Sequence, residues 1–146
     1  MSARPDAGAG QDTASRVAYH FAVLRVVPHV RKGEFVNVGV VLHARTAEYL
    51  GIRIITDAAR LRELVPDVDI ELLVEYLRCY EGIVRGDPAA GRIALLPPSE
   101  RFHWMTAPRS DVLQPSPVHS GLTDDPASAV DELYGAFVEP RLERNT

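Results

Sequence analysis

Three runs of β-branched and aromatic residues open the ordered part of the chain. Val17 to Val27 stops at Pro28, Phe35 to His43 follows, and Tyr49 to Ile55 comes third, so each predicts a strand. Residues 28–34 can only form a loop and residues 44–48 a turn, which makes the three an antiparallel meander. Period 2 divides the second strand into Val36, Val38, Val40 and Leu42 on one face and Phe35, Asn37, Gly39, Val41 and His43 on the other. In the third strand Leu50, Ile52 and Ile54 match the aliphatic face, leaving Gly51 and Arg53 opposite. Aligning like faces pairs odd positions with odd ones and places Gly39 across from Arg53 or from Gly51. Either register makes a shallow hollow beside a guanidinium. Arg25 has the parity of Tyr19, Phe21 and Val23 in a first strand whose faces are both largely apolar.

The period then changes to helical. Asp57 caps a short helix over 58–64, stopped by Pro66. Leu73, Tyr76, Leu77, Tyr80, Ile83 and Val84 mark a longer helix from near Asp69 to Gly86, expected to pack on the aliphatic sheet face. Ile93 to Leu96 and Phe102 to Met105 read as short strands separated by Pro97 and Pro98, and residues 107–122 as an irregular Pro- and Ser-rich loop. Asp125 caps a last helix with Pro126 at its first position and a stripe of Val130, Leu133, Tyr134, Phe137 and Val138. The expected fold class is α+β. An antiparallel meander (strands near 17–27, 35–43 and 49–55) with further short strands packs against a long helix near 69–85 and a C-terminal helix near 126–139. The single domain spans 16–140, between a disordered N-terminal tail, 1–15, and a C-terminal tail, 141–146.

Composition narrows the class. A chain of 146 residues, 46% apolar, supports one core without covalent staples. The lone cysteine, Cys79, excludes an internal disulfide and a Cys-based zinc site. No apolar run approaches the roughly 20 residues of a membrane span, and the first residues lack the apolar stretch of a signal peptide. A cytoplasmic, reducing compartment is expected. The net charge of −4 argues against a general nucleic-acid binder. Charge is unevenly placed, however. Residues 17–56 carry Arg25, Arg31, Lys32, Arg45 and Arg53 against Glu34 and Glu48, whereas residues 57–87 carry four arginines against eight carboxylates. The strands are basic and the helices acidic.

Two segments hold the candidate chemistry. The first runs from Arg31 to Gly39: two cations and Gly33 at a hairpin tip form a natural anion contact, Glu34 could hold Arg31 or Arg53 in place, and Asn37 stands mid-strand against its propensity. Asn37 could equally satisfy a buried backbone group, and Gly39 could simply make room for a neighbour. The second segment gathers Arg101, His103, Trp104, Arg109, Ser110, Ser116 and His119. Arginine forks onto phosphate or carboxylate, His119 could act as acid or base near neutral pH, and Ser110 or Ser116 could be a nucleophile beside it. No nucleophile elbow, phosphate loop or dinucleotide fingerprint is present, so no cofactor is expected. The histidines never stand at i,i+4 on a helix, and no metal site is expected.

The run Tyr19-His20-Phe21-Ala22-Val23-Leu24-Arg25-Val26-Val27-Pro28, with Gly33-Glu34-Phe35-Val36-Asn37-Val38-Gly39-Val40-Val41-Leu42, resembles the opening of the bacterial family filed as domain-of-unknown-function 3037. Arg101-Phe102-His103-Trp104, Ala107-Pro108-Arg109-Ser110 and Ser116-Pro117-Val118-His119-Ser120-Gly121-Leu122 resemble it too, so the similarity extends over 19–138. The resemblance implies no particular activity. It implies an association with HipA-like kinases, and hence a small partner or regulator of such a kinase. Its motif positions are Arg25, Glu34, Asn37, Gly39, Arg101, Arg109, Ser110, Ser116 and His119. The expected function is a small intracellular binding or regulatory domain, in which Arg25, Arg53, Arg101 and Arg109 converge on an anionic group. That group would belong to a phosphate-bearing small molecule or a protein partner. One alternative is an enzyme acting on a phosphate ester or acyl group with His119 as acid/base. Another is a protein-interaction domain whose arginines pair with its own acidic helices.

Overall fold

The computed structural model describes residues 16–28, 33–109 and 111–139. Strand β1 (Val17–Val26) is long enough to take partners along both edges. One edge carries β2 (Val36–Ala44), which in turn pairs with β3 (Tyr49–Ile54), so the expected meander is present. The other edge is shared by β4 (Leu113–Pro115), beside Leu24–Val26, and β5 (His119–Thr123), beside Val17–Phe21. All pairs are antiparallel, in the order β3-β2-β1-β4 with β5 also on β1. Among the described residues four helices complete an α+β fold: α1 (Ala58–Leu64), α2 (Ile70–Arg85), α3 (Pro98–Thr106) and α4 (Pro126–Phe137). The carboxylates of Asp57, Asp69 and Asp125 accept from the N–H groups of Ala59, Leu72 and Ala127, capping three of them as their sequences predict.

Proline misleads at three places. Phe102 to Met105 is not a strand but the middle of α3, which Pro98 starts from its first turn, where a missing N–H costs nothing. Phe102 and Met105, three apart, are the buried pair, a helical spacing masked by the alternation of Phe102 and Trp104. Ile93 to Leu96 is likewise no strand, since Arg92–Leu95 forms a short 3-10 turn. Conversely, residues 107–122 hold β4 and β5. Pro115 is tolerated there because β4 lies at the sheet edge, and Pro117 falls in the interval between β4 and β5.

The register between β2 and β3 also differs from expectation. Gly39 pairs with Ile54, Val40 with Arg53, Val41 with Ile52 and Leu42 with Gly51, so odd positions meet even ones. The physical reason is that both faces of the sheet are covered. One face meets α4, with Phe137 against Phe21 and Tyr134 against Arg53. The other meets α2 and α3, with His43 against Phe102 and Ile54 beside Val74 and Leu77. Eight of the nine residues of β2 are buried, so hydrophobicity does not say which of its faces is which. Gly39 leaves no hollow. A Cβ there would lie 2.6 Å from the Ile54 Cγ2 and 2.9 Å from the Arg53 carbonyl oxygen, so its role is close strand packing.

A bulge adds a second departure. Leu24 pairs with Gly39 but Arg25 with Asn37, leaving Val38 without a partner on β1. The extra residue turns Asn37 to the α4 side, away from Gly39, although their numbers share a parity.

Candidate functional site

The bulge and the two-sided sheet divide the candidate residues into groups. Arg25, Asn37, Arg53 and His119 lie on the α4 side, whereas Gly39, Arg101 and Arg109 lie on the side of α2 and α3. Glu34 is exposed just before β2. Ser110, Arg31 and Lys32 fall outside the described residues. The four arginines therefore do not converge on one anion.

On the α4 side Arg53, Arg25 and the Asn37 amide N–H already have structural partners. The Arg53 guanidinium lies 4.4 Å over the Tyr134 ring and pairs with Asp131 at 3.1 Å and Glu139 at 3.6 Å. Glu34 is thus not the carboxylate that holds Arg53. Arg25 stacks 4.3 Å from the centre of the Phe35 ring. The Asn37 amide donates to the Phe137 carbonyl at 2.9 Å, closing the last turn of α4, while its Oδ1 is buried without a hydrogen-bond partner. His119 is exposed in β5, its ring 5.5 Å from that of Phe21.

Ser116 has an unexpected position. Its N–H donates to the Val23 carbonyl at 2.8 Å, its hydroxyl accepts the Val23 N–H at 2.8 Å, and the same hydroxyl donates to the Pro117 carbonyl at 2.9 Å. The side chain thereby carries the β1 ladder across the interval between β4 and β5. Its proton is directed at a carbonyl rather than at an imidazole.

On the opposite side Arg101 is an internal brace. Its Nε donates to Leu96 at 2.8 Å, and its Nη1 donates to the carbonyls of Ile83 and Val84 at 2.8 and 2.9 Å. Those carbonyls belong to the last turn of α2; that of Ile83 also accepts the Gly86 N–H at 3.1 Å, and Arg101 adds a side-chain donor to both. Gly86, at φ 74°, ends the same helix in the left-handed region that glycine reaches without strain.

Arg109 is held differently. Its Nη1 donates to the Tyr80 hydroxyl at 2.8 Å, Nη2 to the Trp104 carbonyl and Nε to the Ala107 carbonyl at 3.4 Å, while the guanidinium lies 4.4 Å over the Trp104 ring. The Tyr80 and Trp104 rings meet at 6.0 Å and 57°. Together with Tyr76, Asp111 and Leu113 they line a cleft of about 230 Å³. Burial pushes the Tyr80 hydroxyl above its ordinary pKa; the Arg109 charge opposes the rise and Asp111 adds to it, so the group stays a neutral phenol at physiological pH. All the acceptors of Arg109 are neutral, and a guanidinium carries more N–H donors than these contacts use. An anion could take the remainder.

The sequence model of the family described as "Protein of unknown function (DUF3037)" matches residues 21–138. The chain belongs to that family. No curated protein and no solved structure matches it. In this DUF3037 chain the matched span takes in both sides of the sheet and the whole Arg109 cleft. Tyr76, Tyr80 and Asp111 are cleft residues that sequence reasoning missed. The two tyrosines counted only as a helical core stripe, and Asp111 carries no signal beyond its nearness to Arg109. Among the described residues no three His, Cys, Asp or Glu side chains gather into a metal site. No described helix is long and apolar enough to cross a membrane.

Proposed function

We propose that the protein is a non-catalytic binding or regulatory domain whose anion contact is Arg109 in the Trp104 cleft. One observation carries this reading: a guanidinium fixed by neutral acceptors and stacked on an aromatic ring, at the wall of a largely apolar hollow. Such a cation is oriented before any ligand arrives, which lowers the entropic cost of binding. The exposed, free Cys79 suits the reducing bacterial cytoplasm that belongs to the proposal. An enzyme acting on phosphate esters or acyl groups has less behind it. Ser116 gives its proton to Pro117, and Arg101 and Arg109 are held at helix ends on the other side of the sheet from His119.

The test is a thermal-shift series with carboxylates, phosphates and acidic peptides on the native protein and on Arg109→Lys, with a HipA-like kinase as bait in a parallel pull-down. A ligand at about a hundred times its dissociation constant adds about 2.7 kcal/mol of stability. The expected result is a shift in the native protein that Arg109→Lys reduces. Silence with every anion, alongside kinase capture that Arg109→Lys leaves intact, would replace this reading with the protein-interaction domain.

A further inference from the structure

Resting on that reading, we infer that the Arg109 cleft takes a small aromatic zwitterion, of the class of the free aromatic amino acids. Among the described residues the cleft holds one fixed cation, Arg109, and one carboxylate, Asp111, and these balance. A polyanion entering it would meet Asp111 as well as Arg109. A zwitterion meets an opposite charge with each of its ends, its carboxylate on the guanidinium and its ammonium on Asp111. The remaining walls, Tyr76, Cys79, Tyr80, Trp104 and Leu113, supply mostly aromatic and apolar surface for a ring.

Size points the same way. At about 230 Å³ the hollow is smaller than the roughly 300–1,000 Å³ of pockets that enclose drug-sized ligands, and a nucleotide would not fit inside it. A single aromatic ring with a short charged head does. Rigidity supports selection as well. The Trp104 carbonyl, the Tyr80 hydroxyl and the stack on the indole fix the guanidinium in one plane, so the head group is read by direction as well as by charge.

The protein carries its own reporter, since Trp104 is its only tryptophan. The full chain is titrated with phenylalanine, 3-phenylpropionate, inorganic phosphate and ADP by calorimetry, and with the first two also by Trp104 fluorescence. Phenylalanine is expected to bind about tenfold tighter than 3-phenylpropionate, the value of one charge-assisted contact. Asp111→Asn, at an exposed position that carries no core packing, is expected to erase that difference by weakening phenylalanine, while 3-phenylpropionate binds no more weakly than before. Arg109→Lys weakens both. Equal binding of the two acids, with no effect of Asp111→Asn, overturns the zwitterion while leaving the anion site. Binding of phosphate or ADP that depends on Arg109, without binding of either aromatic acid, does the same. If none of the four binds, both the zwitterion and the anion site are lost.

Discussion

At Val23 a side chain does the work of a backbone. Ser116 accepts the buried Val23 N–H where the partner strand is interrupted, so Ser116→Ala leaves that donor unpaired. A loss of about 1–3 kcal/mol in urea unfolding is expected, the cost of a buried orphan donor. Arg101→Ala, which strips its side-chain donor from the Val84 carbonyl while the Ile83 carbonyl keeps the Gly86 N–H, is expected to cost about 1–3 kcal/mol by the same measurement and without affecting anion binding. Ligand affinity should separate it from Arg109→Lys. Arg53 makes the contrasting case. Its pair with Asp131 is about half exposed at the arginine and two-thirds exposed at the aspartate, so Asp131→Asn should change stability by only about 0–1 kcal/mol. None of these roles could be read from residue type, because an arginine facing carbonyls and an arginine facing a ligand look identical in a sequence.

At the scale of elements, helices with caps were legible and short elements bounded by proline were not. Asp57, Asp69 and Asp125 announce α1, α2 and α4 because capping is local chemistry between neighbouring residues. Gly86 closes α2 in the left-handed region, so Gly86→Ala should cost about 1 kcal/mol in thermal or urea unfolding. Proline is ambiguous in comparison: it ends one element, starts another, and is harmless on a sheet edge. That ambiguity hid α3 behind Pro97 and Pro98, and hid β4 and β5 behind Pro115 and Pro117. The strand pair β2–β3 adds a test of close packing. Gly39→Ala forces a methyl against the Ile54 side chain and the Arg53 backbone, and should destabilise by about 1–3 kcal/mol.

For the molecule as a whole, covering the sheet on both faces has a consequence for pH. His43 sits buried against Phe102, opposite His20 and near Arg45. Burial first, and then the charges of His20 and Arg45, hold its pKa below the ordinary 6.5. The unfolded chain therefore takes up this proton before the folded one. His43's contribution is complete above pH 6.5 and is lost as pH falls through the lower folded value. Urea midpoints between neutral and mildly acid pH should fall for the native protein, and less steeply for His43→Leu; parallel curves would exclude His43 as a cause. The same two-sided cover separates what the chain states from what it leaves open. The amino-acid sequence by itself determined the α+β class, the meander, the long helix and the capped ends, because period and capping act between neighbours in the chain. Only the tertiary structure decided which face of β2 is which, where the bulge turns Asn37, and that Arg109 rather than four arginines meets an open cleft. Those outcomes depend on packing between segments distant in sequence, where apolar residues on both sides of a strand remove the contrast that pattern reading needs.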